Sequence, residues 1–212
     1  MVYLCGEVLS YMAVKENNQV HIEVPGWETT VLLHTCCAPC SSAIIEAMLK
    51  NGITPVIYYC NPNIYPLEEY EIRKNECTRY AQSLGLEIVD ADYGHEDWLE
   101  AVKGLENEPE RGGRCLKCFK LRLLRTAEYA AQRGIKVITT TLASSRWKSI
   151  DQINEAGRWA CQQVAPSDGK VIWWDRNWRK NGLQERRLQI IKEYDFYNQL
   201  YCGCEFSMRK DG

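Results

Sequence analysis

The chain of 212 residues is 45% hydrophobic and 25% charged, enough for one domain with an ordinary core and too apolar for a disordered chain. Its net charge of −2 does not announce a nucleic-acid binder, and no apolar run approaches the roughly 18 residues of a membrane span. With no basic, apolar leader over residues 1–15, a reducing cytoplasm is the expected compartment; there eleven cysteines, an odd number, point to metal or redox chemistry rather than a disulfide framework.

Residues 1–28 read as an N-terminal extension, with a lone Cys5 as an incidental thiol and the alternating stretch Val20 to Val24 as an edge strand. From residue 29 to 212 a single α/β domain is expected, ending in a tail. Thr30 to Leu33 is an apolar strand. Ser41 and Ser42 suit the cap of a helix that carries Ile44, Ile45, Met48 and Leu49 on one side and stops at Asn51-Gly52. Val56 to Cys60 is the next strand, Pro66 to Leu84 a long helix stopped by Gly85, Leu86 to Val89 a third strand, and Tyr93 to Leu105 is helical. After the acidic, glycine-bearing loop Glu106 to Gly113, a helix with Leu121, Leu124, Ala127 and Ala131 on its inner face runs to Gly134. Val137 to Leu142 is a fourth strand, Ser149 to Val164 a helix, Val171 to Trp174 a short strand, and Gln184 to Tyr197 a helix. Crossovers of this length specify an open, mostly parallel sheet with helices on both faces.

The cysteines bunch at His34-Thr35-Cys36-Cys37-Ala38-Pro39-Cys40 and at Cys115-Leu116-Lys117-Cys118, each where a helix begins. In a parallel sheet both helix starts share the edge where strand carboxyl ends meet helix N-termini, whose partial positive charge favours the thiolate. Two pairs of thiolates then converge on one soft metal site, for which an iron–sulfur cluster, a structural zinc and a redox Cys-x-x-Cys are the chemical alternatives. Adjacent side chains such as Cys36 and Cys37 are expected to diverge, which counts against a closed zinc site. Cys202-Gly203-Cys204 closes only a small strained ring, so such a pair is easily reduced and cycles readily; further ligands or idle thiols are the plain alternative.

Cys60, Cys77 and Cys161 read as buried small hydrophobes. His34 is either a support for the ligands or a hydrogen-bonded core residue, and His21 and His95 have no company in sequence. Arg111, Arg114, Lys117, Lys120, Arg122 and Arg125 form one basic stretch; Arg176, Arg179, Lys180, Arg186, Arg187 and Lys192 form another, led by Trp173, Trp174 and Trp178. Cations beside aromatic platforms suit a phosphate backbone and unstacked bases, and solvated helix faces with core tryptophans are the bland counterpart.

Six motifs in order then resemble the cobalamin-independent epoxyqueuosine reductases of the QueH type. They are His34-x-Cys36-Cys37-Ala38-Pro39, Tyr59-x-Asn61-Pro62-Asn63-Ile64, Glu69-Tyr70-x-x-Arg73, Arg114-Cys115-x-x-Cys118-Phe119-x-Leu121-Arg122-Leu123, Thr139-Thr140-Thr141-Leu142 and Tyr201-Cys202-Gly203-Cys204. The resemblance covers about Val31 to Ser207. It implies a core like that of the adenine-nucleotide α-hydrolase superfamily and the reduction of epoxyqueuosine to queuosine at the wobble position of a tRNA anticodon, the last step in making that base. It implies Cys36, Cys37, Cys115 and Cys118 as ligands of a 4Fe-4S cluster, Cys202 with Cys204 as a redox-active disulfide, and an electron donor that the sequence does not identify. At Cys40, where some members carry aspartate, it implies a position for a second metal, an additional mononuclear iron or other ion. The segment Ser144-Ser145-Arg146-Trp147-Lys148 departs from the pattern, lacking the proline and histidine or tyrosine of many members. Competing classes are a zinc-bearing tRNA-binding or scaffold protein and an ATP-dependent tRNA thiolase-type modifier on the same fold; the latter needs a glycine- and serine-rich phosphate loop, where this chain has Cys-Cys-Ala-Pro-Cys.

Overall fold

The computed structural model describes residues 20–164 and 170–208; Cys5 and most of the expected extension lie outside them. Five strands, β1 (Thr30–His34), β2 (Thr54–Tyr59), β3 (Ile88–Asp90), β4 (Val137–Thr140) and β5 (Ile172–Trp173), form one sheet in the order β3-β2-β1-β4-β5. Every neighbouring pair is parallel. The helices between and after them are α1 (Ala38–Lys50), α2 (Leu67–Ser83), α3 (His95–Val102), α4 (Gly113–Arg133), α5 (Ile150–Gln163) and α6 (Leu183–Glu193).

The period of two along each strand divides the apolar residues between two cores. Val31 and Leu33 of β1, with Ile57 and Tyr59 of β2, face α1, α2 and α6 through Ile44, Ile45, Met48, Tyr80 and Ile190. Leu32, Val56, Tyr58 and Ile138 face α4 and α5 through Phe119, Leu123, Ala127, Ile153 and Ala156. Covered on both faces, the central strand β1 is buried from Val31 through His34, as parallel sheets require.

The expected architecture is present, with shifted ends. Helix α1 starts at Ala38 rather than after Ser41: Cys37 is the extended residue before the first turn and Pro39, which has no N–H to lose, sits inside it. The Ser41 hydroxyl, read as a cap, instead donates back to Ala38 O at 3.2 Å. Strand β4 stops at Thr140, whose Oγ1 accepts from Leu142 N–H (3.1 Å) and turns the chain into the short helix Thr141–Ser144. Val20 to Val24 is not a strand. The side chain of Asn51 takes the place of a partner, accepting from Ile22 N–H at 3.1 Å and donating to Val20 O at 2.8 Å, while Ile22 and Val24 bury in the first core.

The tryptophans of the second basic stretch are packing residues. Trp174 and Trp178 are buried, edge to face at 5.2 Å. Trp173 covers Gly157 of α5 so closely that a Cβ there would lie 2.2 Å from its ring. Among the described residues no helix is long and apolar enough to cross a membrane.

Candidate metal and redox site

The connection from β1 leads to α1 on one face of the sheet, whereas that from β4 leads to α5 on the other. Between their carboxyl ends lies the switch point where open α/β sheets hold their ligands. Cys36 follows β1 and Thr141 follows β4, so the two meet across this crevice. Thr141 Oγ1 accepts from Cys36 N–H at 3.1 Å and donates to Cys36 Sγ at 3.4 Å. The thiols of Cys36, Cys37 and Cys40 all lie within 4.8 Å of one another. Cys36 and Cys37 have their sulfurs 3.8 Å apart, so the adjacent side chains converge rather than diverge, and divergence does not exclude zinc here.

The three thiols hydrogen-bond among themselves, which drives their pKa values apart. Donation from Cys37 and Cys40 holds Cys36 well below the ordinary thiol range against the cost of burial, with help from the Thr141 hydroxyl and the Arg122 guanidinium. The same donation pushes Cys37 well up and Cys40 up to about 12. A cation is what would ionise all three, since thiolate ligands lose their protons as metal binds. Three soft donors converging at a helix N-terminus therefore fit a thiophilic metal centre. Gln199 closes one side, its Nε2 donating to Cys37 Sγ at 3.2 Å.

Cys115 and Cys118 stand in the first two turns of α4, with Arg111 N–H donating to Cys115 Sγ at 3.3 Å. One turn on, the buried Arg122 donates to Cys60 O (3.2 Å), to the side-chain amide oxygen Oδ1 of Asn61, and to Cys118 Sγ at a long 3.9 Å. Burial works against this guanidinium's charge, and the neighbouring cysteines, Cys118 first and then Cys36 and Cys202, outweigh it and raise its pKa. One fixed cation thus faces cysteines from all three motifs.

Cys202 and Cys204 are free thiols pointing to different surroundings. The Lys148 ammonium donates to Cys202 Sγ at 2.9 Å. Burial would raise the Cys202 thiol, and the charge and hydrogen bond of Lys148 more than reverse this, leaving it lowered. Cys204 packs with Trp98, Val102 and Cys118, and burial pushes it up to about 11. The turn between them is strapped down: Arg73, ion-paired to Glu69 at 2.6 Å, donates to the Tyr201 and Cys202 carbonyls at 3.3 Å, and Tyr65 N–H donates to Gly203 O at 2.8 Å. Gly203 has φ +104°, and a Cβ there would meet Ile64 Cγ1 at 2.9 Å, so only glycine fits.

The sequence that builds this site has relatives among known proteins. The family model described as "Epoxyqueuosine reductase QueH" matches residues 31–210. The chain belongs to the epoxyqueuosine reductase QueH family. Relatives bearing that name include the Haemophilus influenzae protein, 47% identical over 89% of this chain and 75% of the relative. The Acinetobacter baylyi protein is 44% identical (90% and 86%), and the Thermotoga maritima protein 33% identical (84% and 90%).

Within this QueH-family chain, spacing alone located the cysteines and missed the groups that set their charge. Arg122 lies four residues after Cys118, one helical turn, which is the only local hint of its role. Lys148 and Gln199 carry no signal, because their partners are 54 and 162 residues away. His34 is a core residue: its Nε2 bonds to Cys60 O (3.0 Å), its Nδ1 to Thr140 Oγ1 (2.6 Å), and burial with the nearby Arg122 charge lowers its pKa to about 3. His95, without company in sequence, sits in an aromatic stack with Tyr65, Tyr93 and Trp98 and bonds to Pro62 O at 2.7 Å.

Proposed function

We propose that this chain reduces epoxyqueuosine to queuosine at the wobble position of a tRNA anticodon, in the cytoplasm, and that the cysteine-lined end of the sheet is where it does so. The observation that carries this reading is the thiol cluster at the switch point in a chain of this family. In the proposal Cys36, Cys37, Cys115 and Cys118 hold a 4Fe-4S cluster, and Cys40 serves a second metal, an iron or another soft ion. When bound, such a cluster supplies single electrons at low potential.

The protein's own residues account for the stoichiometry. Converting an epoxide to an alkene breaks two C–O bonds, consumes two electrons and two protons, and releases water. Oxidation of the Cys202 thiolate and the Cys204 thiol to a disulfide yields those two electrons and one of the protons, as one S–H bond gives way to one S–S bond. Lys148, in contact with Cys202 Sγ, favours the thiolate form of that sulfur and supplies the second proton to the departing oxygen, regaining it from solvent. An external electron donor must then restore the dithiol.

Anaerobically purified full-length protein tests the metal assignment. Iron and acid-labile sulfide with broad visible absorption are expected, and the absorption is expected to fall on changing Cys36, Cys37, Cys115 or Cys118 to Ser. Colourless protein with stoichiometric zinc that four serine variants leave unchanged would overturn it.

A further inference from the structure

Both basic stretches meet, unexpectedly, at a tryptophan in neither. Trp147 follows the short helix after β4 and is 63% exposed, with the Arg146 guanidinium 4.8 Å from its ring centroid. Its backbone is clamped from two sides. Arg111 Nε donates to Trp147 O at 2.9 Å and Arg111 Nη2 to Arg146 O at 3.1 Å, while Arg179 Nη2 donates to the next carbonyl, Lys148 O, at 2.7 Å. Lys148 in turn contacts Cys202 Sγ, so the exposed ring stands one residue from a group that touches the redox pair.

This is an expensive way to display an apolar side chain. Arg111 holds its clamp from a left-handed backbone (φ +66°), itself fixed by Gln152 Nε2 donating to Arg111 O at 2.8 Å. Arg179 buries its Nε without a hydrogen-bond partner, and partial burial together with the like charge of Arg111 lowers its pKa. Two guanidiniums with spare donors that repel each other beside an exposed indole are stabilised by an anion, and the chemistry that supplies an anion and a flat π surface side by side is a nucleic-acid strand. Glu110, adjoining Arg111, is the acid nearest in sequence and leaves the local balance positive.

We propose that Trp147 is the stacking platform for a base neighbouring the modified nucleotide in the RNA loop, and that Arg111 and Arg179 take the adjoining backbone phosphate. The inference rests on the reading of the chain as an enzyme acting on tRNA; it draws one arginine from each basic stretch and adds Trp147, which no motif indicated. It also replaces the aromatic platform that Trp173, Trp174 and Trp178 offered as one of two readings, since the fold buries Trp174 and Trp178 and half-buries Trp173.

The test is binding of a fluorescent anticodon stem-loop to the metal-loaded, full-length protein by anisotropy across a salt series. Trp147→Ala is expected to weaken binding about tenfold or more, and Trp147→Phe to keep most of the affinity, because every aromatic face stacks. Arg111→Gln should lower the slope of log K against log salt by about one, while Arg111→Lys, which keeps the charge, should not. Visible absorption unchanged from wild type certifies that each variant is folded and loaded. Affinity within twofold of wild type for Trp147→Ala, or equal slopes for the two Arg111 variants, would overturn the proposal. Wild-type protein that binds the loop yet never converts epoxyqueuosine would instead sink the functional reading, so the two failures are distinguishable.

Discussion

Lys148 shows how one side chain turns a placed cysteine into a reactive one. Cys202 is half-buried, which disfavours its thiolate, and the ammonium at 2.9 Å, with help from the Arg122 charge, reverses the balance. The folded pKa is lowered, so the thiolate persists at pH values where a free cysteine is protonated, and alkylation of Cys202 should have its midpoint below that of an unperturbed thiol. Lys148→Met moves that midpoint upward and slows alkylation at pH 7 by roughly an order of magnitude. Lys148→Arg, which keeps a cation in reach, restores most of the rate. Mass spectrometry of iodoacetamide-treated protein over a pH series reads this directly; identical midpoints in wild type and Lys148→Met would remove Lys148 from the account.

At the level of elements, the sequence made strands and helices legible wherever periodicity carried them. Alternate residues of β1 and β2 enter opposite cores, and the apolar side of α4 ends at Gly134, with φ +67°. Their ends were illegible where a side chain made a contact distant in sequence or competed with the ladder, as Thr140 does at the end of β4 and Asn51 does along Val20 to Val24. Helix α6 is fixed to α1 by such a distant pair: Arg186 Nη2 lies 2.7 Å from Glu46 Oε2, 140 residues away. Partial burial would raise the Glu46 carboxyl, but Arg186 and Lys50 outweigh it and the pKa is lowered. A carboxylate with a folded pKa below its unfolded one stabilises the fold above the ordinary carboxylate range, and that contribution is lost as pH falls through the lowered value. Glu46→Gln should therefore cost about 0.5–1 kcal/mol in urea unfolding at neutral pH and progressively less in acid, as pH falls through the lowered carboxylate range. An equal cost at neutral and acid pH would show that the pair acts through packing and not charge.

For the whole molecule, the cysteine motifs announced two helix starts, and parallel topology predicted that both would face one edge of the sheet. What spacing did not convey is the assembly of that edge from parts remote in the chain. Cys36 and Thr141 are brought together by the β1–β4 pairing, Arg122 reaches across from α4, and the Cys202 turn is strapped down by Arg73 from α2. Composition also concealed the charge. A net −2 coexists with Arg111, Arg146, Lys148 and Arg179 gathered on one lip, while the tryptophans that looked like a binding surface went into the core.

The central claim is that this edge removes oxygen from an epoxide on RNA. It is tested most directly by incubating the reconstituted, full-length protein anaerobically with tRNA bearing epoxyqueuosine and a low-potential electron donor, then digesting the RNA and weighing its nucleosides. Conversion to a nucleoside lighter by one oxygen atom, over many turnovers with wild type and lost with Cys202→Ser and Cys204→Ser together, is the predicted result. Epoxyqueuosine recovered unchanged from fully metal-loaded wild-type protein would contradict it.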